Sequence, residues 1–174
     1  MPSTPFETVI LTTALYAVLF ISLLMFSIVY RWVFIDSLKV RLGEVANQVA
    51  YEVTGLYVMC HRAESNINLY KPISLPVSVS GHGYAMEFRE VDGVWFLVAY
   101  LEENRAINVS SPLWRNPGVD VVVETGDGVF QVGSRLVNYT GVLHSGASNP
   151  VVWARRVDGA IVVGLGRLEN SGGG

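Results

Sequence analysis

The stretch VILTTALYAVLFISLLMFSIVY, residues 9–30, contains no charged residue and no proline, and Arg31 follows it directly. With Thr8 it forms an uncharged run of 23 residues. As an α-helix the run would be about 35 Å long, enough to cross a hydrocarbon layer of about 30 Å. A soluble core helix rarely needs this length, and a signal peptide has a basic start and an apolar region of only about 7–15 residues. The run therefore predicts a helix that lies in a membrane or packs in the core of a filament.

Composition limits what the rest of the chain can be. With 174 residues, 51% of them hydrophobic and 16% charged, the chain has room for one membrane helix and one domain of about 100 residues. The net charge of −3 argues against a nucleic-acid partner, which requires a basic surface. The single cysteine, Cys60, cannot form an internal disulfide.

The helix is expected to continue well past the apolar run, because no proline occurs between Tyr30 and Pro72. Beyond Arg31 an apolar stripe recurs at steps of three or four residues, which is the helical period. Its predicted helix-interface residues are Leu38, Leu42, Val45, Val49, Val53 and Leu56, and Cys60 extends it. The stripe requires a partner surface, either the protein's own β-domain or the same helix in neighbouring copies. Gly43 and Gly55 interrupt the helix formers and are interpreted as close-packing or bending points.

After Ser65 the pattern changes to short runs rich in valine and aromatic residues. Asp92-Gly93 and Asp158-Gly159 each predict a two-residue hairpin turn, and a third hairpin is expected around residues 125–128. Seven or eight strands are predicted, near residues 76–80, 83–90, 93–101, 106–109, 119–124, 128–133, 150–157 and 160–168.

The predicted fold class is therefore α+β, a long N-terminal helix followed by an antiparallel β-sandwich. The predicted partition is a helical region at 1–65, a β-sandwich domain at 66–170 and a flexible tail at 171–174. The alternation of apolar and polar residues along the strands predicts these core residues: Tyr84, Phe88, Trp95, Leu97, Val121, Val123, Phe130, Trp153 and Val162. A fragment starting near residue 66 is expected to fold by itself.

No pattern in the sequence indicates an enzyme. His61, His82 and His144 are far apart and lack neighbours at metal-ligand spacing, so neither a metal site nor a catalytic residue is assigned. Short G-x-G pieces at residues 81–83, 126–128 and 164–166 lack the rest of a phosphate-binding loop and are interpreted as turns or strand bends. We therefore expect no cofactor and no small-molecule substrate.

The two indicators of sidedness disagree. The sequons at Asn108 and Asn138 are possible N-glycosylation sites and favour a β-domain outside the cytoplasm. Arg31, Lys39 and Arg41 follow the run and no basic residue precedes it, which favours a cytoplasmic β-domain by the positive-inside rule. We expect these basic residues to pair with carboxylates of the same helix, and we predict an extracytoplasmic domain.

The short N-terminus, the apolar helix that continues into a striped one, and the segment SLPVSVSGHGYAMEF at residues 74–88 together resemble archaeal type IV pilin-like proteins. The Leu75-Pro76 entry, Gly81 and Tyr84 are the most specific part of this likeness. The resemblance implies a helix that packs in a filament core and a β-sandwich that faces outward. No basic leader-cleavage site precedes the helix, and without cleavage the protein is expected to stay in the membrane.

Two functions follow from these observations. In the first, the protein is a structural subunit of a cell-surface filament, and copies associate through the N-terminal helix. In the second, a single membrane span in lipid anchors a β-domain that binds an envelope protein or the base of a filament. The run has few small residues that would let helices pack closely, only Ala14, Ala17, Ser22 and Ser27, which favours lipid, although filament cores also use large aliphatic side chains. We predict the filament subunit, with the anchored module as the alternative.

Overall fold

A computed structural model of the chain describes residues 5–113 and 121–169. Over these residues the protein is α+β, as the sequence predicts: one long N-terminal helix is followed by two sheets. The chain divides into two compact units, residues 1–37 and residues 38–174. The second half of the helix thus belongs to the same unit as the strands, whereas the sequence-based partition ends the helical region at residue 65. The predicted tail at 171–174 lies outside the described residues.

The elements of the described residues are one helix and ten strands. Helix α1 spans Pro5–Arg62. The strands are β1 (Ile67–Pro72), β2 (Tyr84–Val91), β3 (Val94–Leu101), β4 (Asn108–Pro112), β5 (Val121–Val123), β6 (Gly128–Val132), β7 (Arg135–Thr140), β8 (Val142–His144), β9 (Pro150–Val157) and β10 (Ala160–Glu169).

Helix α1 is continuous because its 58 residues contain no proline after Pro5, which stands in the first turn where proline is tolerated. It ends where Arg156 of β9 satisfies the last carbonyl groups. The Nη1 atom of Arg156 donates to the carbonyl oxygen of His61 at 3.4 Å and to that of Ala63. The guanidinium charge also complements the negative end of the helix dipole. Register across the β1–β9 pair, which places Ile67 opposite Arg156, sets the position of this cap.

The ten strands form two sheets. Sheet A has the order β1-β9-β10-β7-β6, and all of these neighbours are antiparallel. The short strand β5 joins sheet A in parallel to β10, beside Ile161–Val163, while β7 pairs with the following part of β10. Sheet B has the order β4-β3-β2-β8 and is antiparallel throughout.

The main core lies between α1 and the inner faces of both sheets. Sheet B contributes residues such as Met86 and Leu97, and sheet A contributes residues such as Ile161 and Val163, each at alternate positions of its strand. The helix-interface residues Leu38, Leu42, Val45, Val49, Val53 and Leu56 all lie in this core and are at most 9% exposed. Within this unit, therefore, the partner of the stripe is the protein's own pair of sheets.

A second, smaller core occupies the opposite face of sheet A. Trp153 is fully buried there, with the ring centroid of Phe130 at 4.8 Å and that of Tyr139 at 5.4 Å. The end strands β1 and β6 come into contact, so the sheet coils around this cluster. A side chain at Gly164 would collide with the indole, since its Cβ would lie 2.4 Å from a ring carbon of Trp153.

This second core corrects part of the predicted core. Phe130, Trp153 and Val162 belong to it and not to the core beneath the helix. Alternation assigns residues to the two faces of a strand but cannot tell which face meets the helix when both faces are apolar. The other nominated residues, Tyr84, Phe88, Trp95, Leu97, Val121 and Val123, lie in the main core or pack against it.

The two Asp-Gly hairpins are confirmed. Asp92 and Gly93 connect β2 to β3 with φ angles of 52° and 76°, and Asp158 and Gly159 connect β9 to β10 with 50° and 88°. Positive φ at both positions matches the right-handed twist of the paired strands.

The third predicted hairpin, around residues 125–128, is wrong. Strand β5 pairs with β10 instead of β6, and β6 forms its hairpin with β7 through Gly133, whose φ is 61°. Thr125 to Gly128 therefore connect two strands that are not neighbours.

Seven of the predicted strands match β2, β3, β4, β5, β6, β9 and β10, although the first residues predicted for β5, 119–120, lie outside the described part. The strand predicted at 76–80 is wrong: Val79 makes only an isolated bridge with His82 across a turn in which Ser80 and Gly81 have positive φ. Strands β1, β7 and β8 were not predicted, because β1 ends in a proline and the other two are short and mixed in polarity.

Replacing Val49 with Asp should unfold the unit that begins at Leu38. Val49 is fully buried in the main core, so the substitution leaves a carboxylate without partners there and costs about 3 kcal/mol or more of unfolding free energy. Gln48→Asp, at the neighbouring exposed position, is the matched control. Urea titrations followed by circular dichroism measure both, and equal stability of the two variants would contradict this assignment of the core.

Contrary to the expectation from the sequence, a fragment covering residues 66–174 should not fold cooperatively by itself, whereas one covering 37–174 should. The shorter fragment lacks the helix face that covers the inner sides of both sheets, so it exposes the main core. Size-exclusion chromatography and thermal melting would compare the two fragments. If the shorter fragment is monomeric and melts at the same temperature, the sheets do not depend on the helix.

Candidate membrane-anchoring helix

The first compact unit exposes an apolar surface on all sides of the helix. Every residue from Phe6 to Phe34 is exposed, and the large apolar side chains among them are 40–76% exposed. Soluble proteins rarely expose a contiguous apolar surface of this size. Where one occurs, it marks a site of contact with a membrane or with another protein. By length and composition α1 is the one helix of the described residues that could cross a membrane.

Three polar side chains of this run are satisfied by the helix itself. The hydroxyl groups of Thr12, Thr13 and Ser22 donate to the carbonyl oxygens of Thr8, Val9 and Val18, at 2.7, 2.8 and 2.9 Å. A hydroxyl that donates to the carbonyl four residues earlier needs no partner in lipid or on another helix. These three residues therefore do not need a second helix to satisfy their hydroxyl groups.

Aromatic residues and an arginine mark the end of the run. Tyr30, Trp32 and Phe34 are exposed beside Arg31, and the rings of Tyr30 and Phe34 stack with centroids 6.5 Å apart. Tyrosine and tryptophan concentrate where lipid meets water, and arginine keeps its charge in the headgroup layer. The end of the uncharged run thus has the composition of a membrane boundary.

The basic residues beyond the uncharged run have no carboxylate partner among the described residues. The four contacts between basic and acidic side chains found there include none of Arg31, Lys39 and Arg41. The expected pairing with carboxylates of the same helix is therefore wrong. Glu52 pairs instead with Lys71 of β1, because the fold brings that ammonium group to the side of the helix.

Two histidines lie within hydrogen-bonding distance of the adjacent carboxylates that follow β3. His144 Nδ1 lies 2.6 Å from Glu102 Oε1, and His82 Nδ1 lies 3.0 Å from Glu103 Oε2. The carboxylate of Glu102 lies directly beside Gly83. A Cβ at Gly83 would be 2.9 Å from Glu102 Oε2, so a side chain there would displace the carboxylate. The spacing along the chain does not reveal these pairs, since Glu102 and His144 are brought together only by the register of β2 with its two neighbours.

The described residues of the strand-rich unit contain few groupings that could bind a metal or a polar ligand. No group of three or more metal-ligand side chains occurs in residues 5–113 and 121–169. An apolar cavity of about 210 Å³ lies between α1 and the sheets, where Val53, Tyr57 and Trp95 line it together with valines of β5 and β10. Among the described residues that line this cavity, none is acidic or basic.

Cys60 is not suited to be a reactive thiol. Its side chain is fully buried in the main core, and burial raises the pKa of the thiol, although the charge of Arg156 opposes this shift. A higher pKa leaves less of the nucleophilic thiolate at neutral pH. Cys60 therefore extends the helix stripe as a small apolar residue.

The two sequons differ in accessibility. Asn108 is exposed at the start of β4, an edge strand of sheet B, and its Nδ2 atom donates to the carbonyl oxygen of Arg105 at 2.8 Å. Asn138 lies in β7 between β10 and β6, and its Oδ1 atom is buried. Of the two, Asn108 is therefore the side chain that a modifying enzyme can reach in the folded domain.

Comparisons of the chain with protein-family models, with curated proteins and with solved structures find no match. What the molecule does must therefore be inferred from its own geometry.

Introducing an arginine at the middle of the run should oppose membrane insertion. Leu19→Arg places a charge at the centre of residues 8–30 and should raise the apparent insertion free energy by about 2.5–3.5 kcal/mol. Val40→Arg, an exposed position beyond the boundary, should leave that free energy unchanged. A translocon insertion assay with glycosylation reporters measures both variants. Equal effects at the two positions would contradict the assignment of residues 8–30 to the membrane.

Proposed function

We propose that the protein is a single-span membrane protein in which residues 8–30 lie in the lipid bilayer and anchor a β-domain that works by binding. In this proposal the unit from Leu38 onward carries no catalytic activity, and its partner is another component of the cell envelope.

The observation that carries this proposal is that the two halves of α1 differ in burial. From Phe6 to Phe34 the helix is exposed and apolar on every side, and three of its hydroxyl groups bond to its own backbone. From Leu38 onward the apolar stripe is buried under the two sheets. The stripe is thus already used inside the molecule, while the run before it has a surface that lipid chains can cover without any polar partner.

We place the β-domain outside the cytoplasm in this proposal. The exposed sequon at Asn108 and the resemblance to pilin-like proteins support this placement. Arg31, Lys39 and Arg41, which make no ion pair among the described residues, favour the opposite orientation. Sidedness is therefore the first property to measure.

A filament subunit is the second candidate function. One observation favours it: the helix is divided into an exposed apolar half and a half built into the β-domain, which is the division that the resemblance implies. In a filament, the surface of residues 6–34 would be covered by the same helix of other copies instead of by lipid. The absence of glycine from this run does not assist such close packing.

A single cysteine introduced at Glu90 should be labelled in intact cells by a thiol reagent that cannot cross membranes. Glu90 is exposed near the Asp92-Gly93 turn, and buried Cys60 should give little background reaction. Wild-type protein, with Cys60 alone, is the control. Labelling only after cell lysis would place the β-domain in the cytoplasm and contradict the proposed sidedness.

The same cells distinguish the two candidate functions. The anchored module should remain in the membrane fraction with residues 1–7 present by mass spectrometry of the mature N-terminus. Surface filaments that contain the protein by immuno-electron microscopy, together with loss of an N-terminal leader, would show that the second candidate is correct.

A further inference from the structure

We draw no further inference here: the strongest candidate, the apolar cavity of about 210 Å³ between α1 and the two sheets, is lined by Leu113 and Val121, the residues on either side of the undescribed segment 114–120, and nothing in the described residues shows what occupies it.

Discussion

Burial of one face of α1 against two sheets is the contact on which the rest of the molecule depends. Sheet B has only four strands, and the inner faces of both sheets are apolar. Exposing either inner face to water would be unfavourable, so each sheet needs an apolar layer against it. The helix supplies the missing layer with residues spaced three and four apart. Polar contacts at its edges hold the helix in place. Lys71 forms an ion pair with Glu52, and the Ser111 hydroxyl donates a hydrogen bond to Asn47 Oδ1. The strand-rich unit is therefore not a domain to which a helix has been added, because the helix is part of its core.

What could be predicted from the sequence was local in origin. The helical period from Leu38 to Cys60, the lack of proline between Pro5 and Pro72 and the Asp-Gly turns each act over a few residues, and the structure contains the corresponding helix and hairpins. The pairing of β5 with β10 depends on residues about 40 positions apart, as Val121 opposite Ile161 shows, and no nearby residue encodes it. The short spacing between β5 and β6 favoured a hairpin that does not form. Likewise, the burial of Trp153 on the outer face of sheet A follows from the coiling of the whole sheet, which no single strand reveals.

The candidate site divides in the same way. The helix that could cross a membrane could be predicted because 23 uncharged residues are a property of composition and length. The histidine pairs could not, because His144 meets Glu102 only after β2, β3 and β8 are in register. The use of the stripe also could not be decided from its period, since an apolar face fits its own sheets as well as a neighbouring helix. Once the sheets occupy that face, interactions with lipid or with other copies are left to the run before Leu38 and to the outward side of α1.

The arginine cap at the end of α1 has a mechanical consequence. Tension that enters the unit at residue 37 acts on a helix that is buried along one face from Leu38 and held at its last turn by Arg156 of β9, a strand in the interior of sheet A. Contacts loaded along the length of a helix share the force, whereas contacts loaded at one end break in sequence. Because Arg156 joins the far end of the helix to a central strand, that load is distributed into sheet A and is not borne by the short loop after Arg62. A force applied through residue 37 would therefore load sheet A together with the helix.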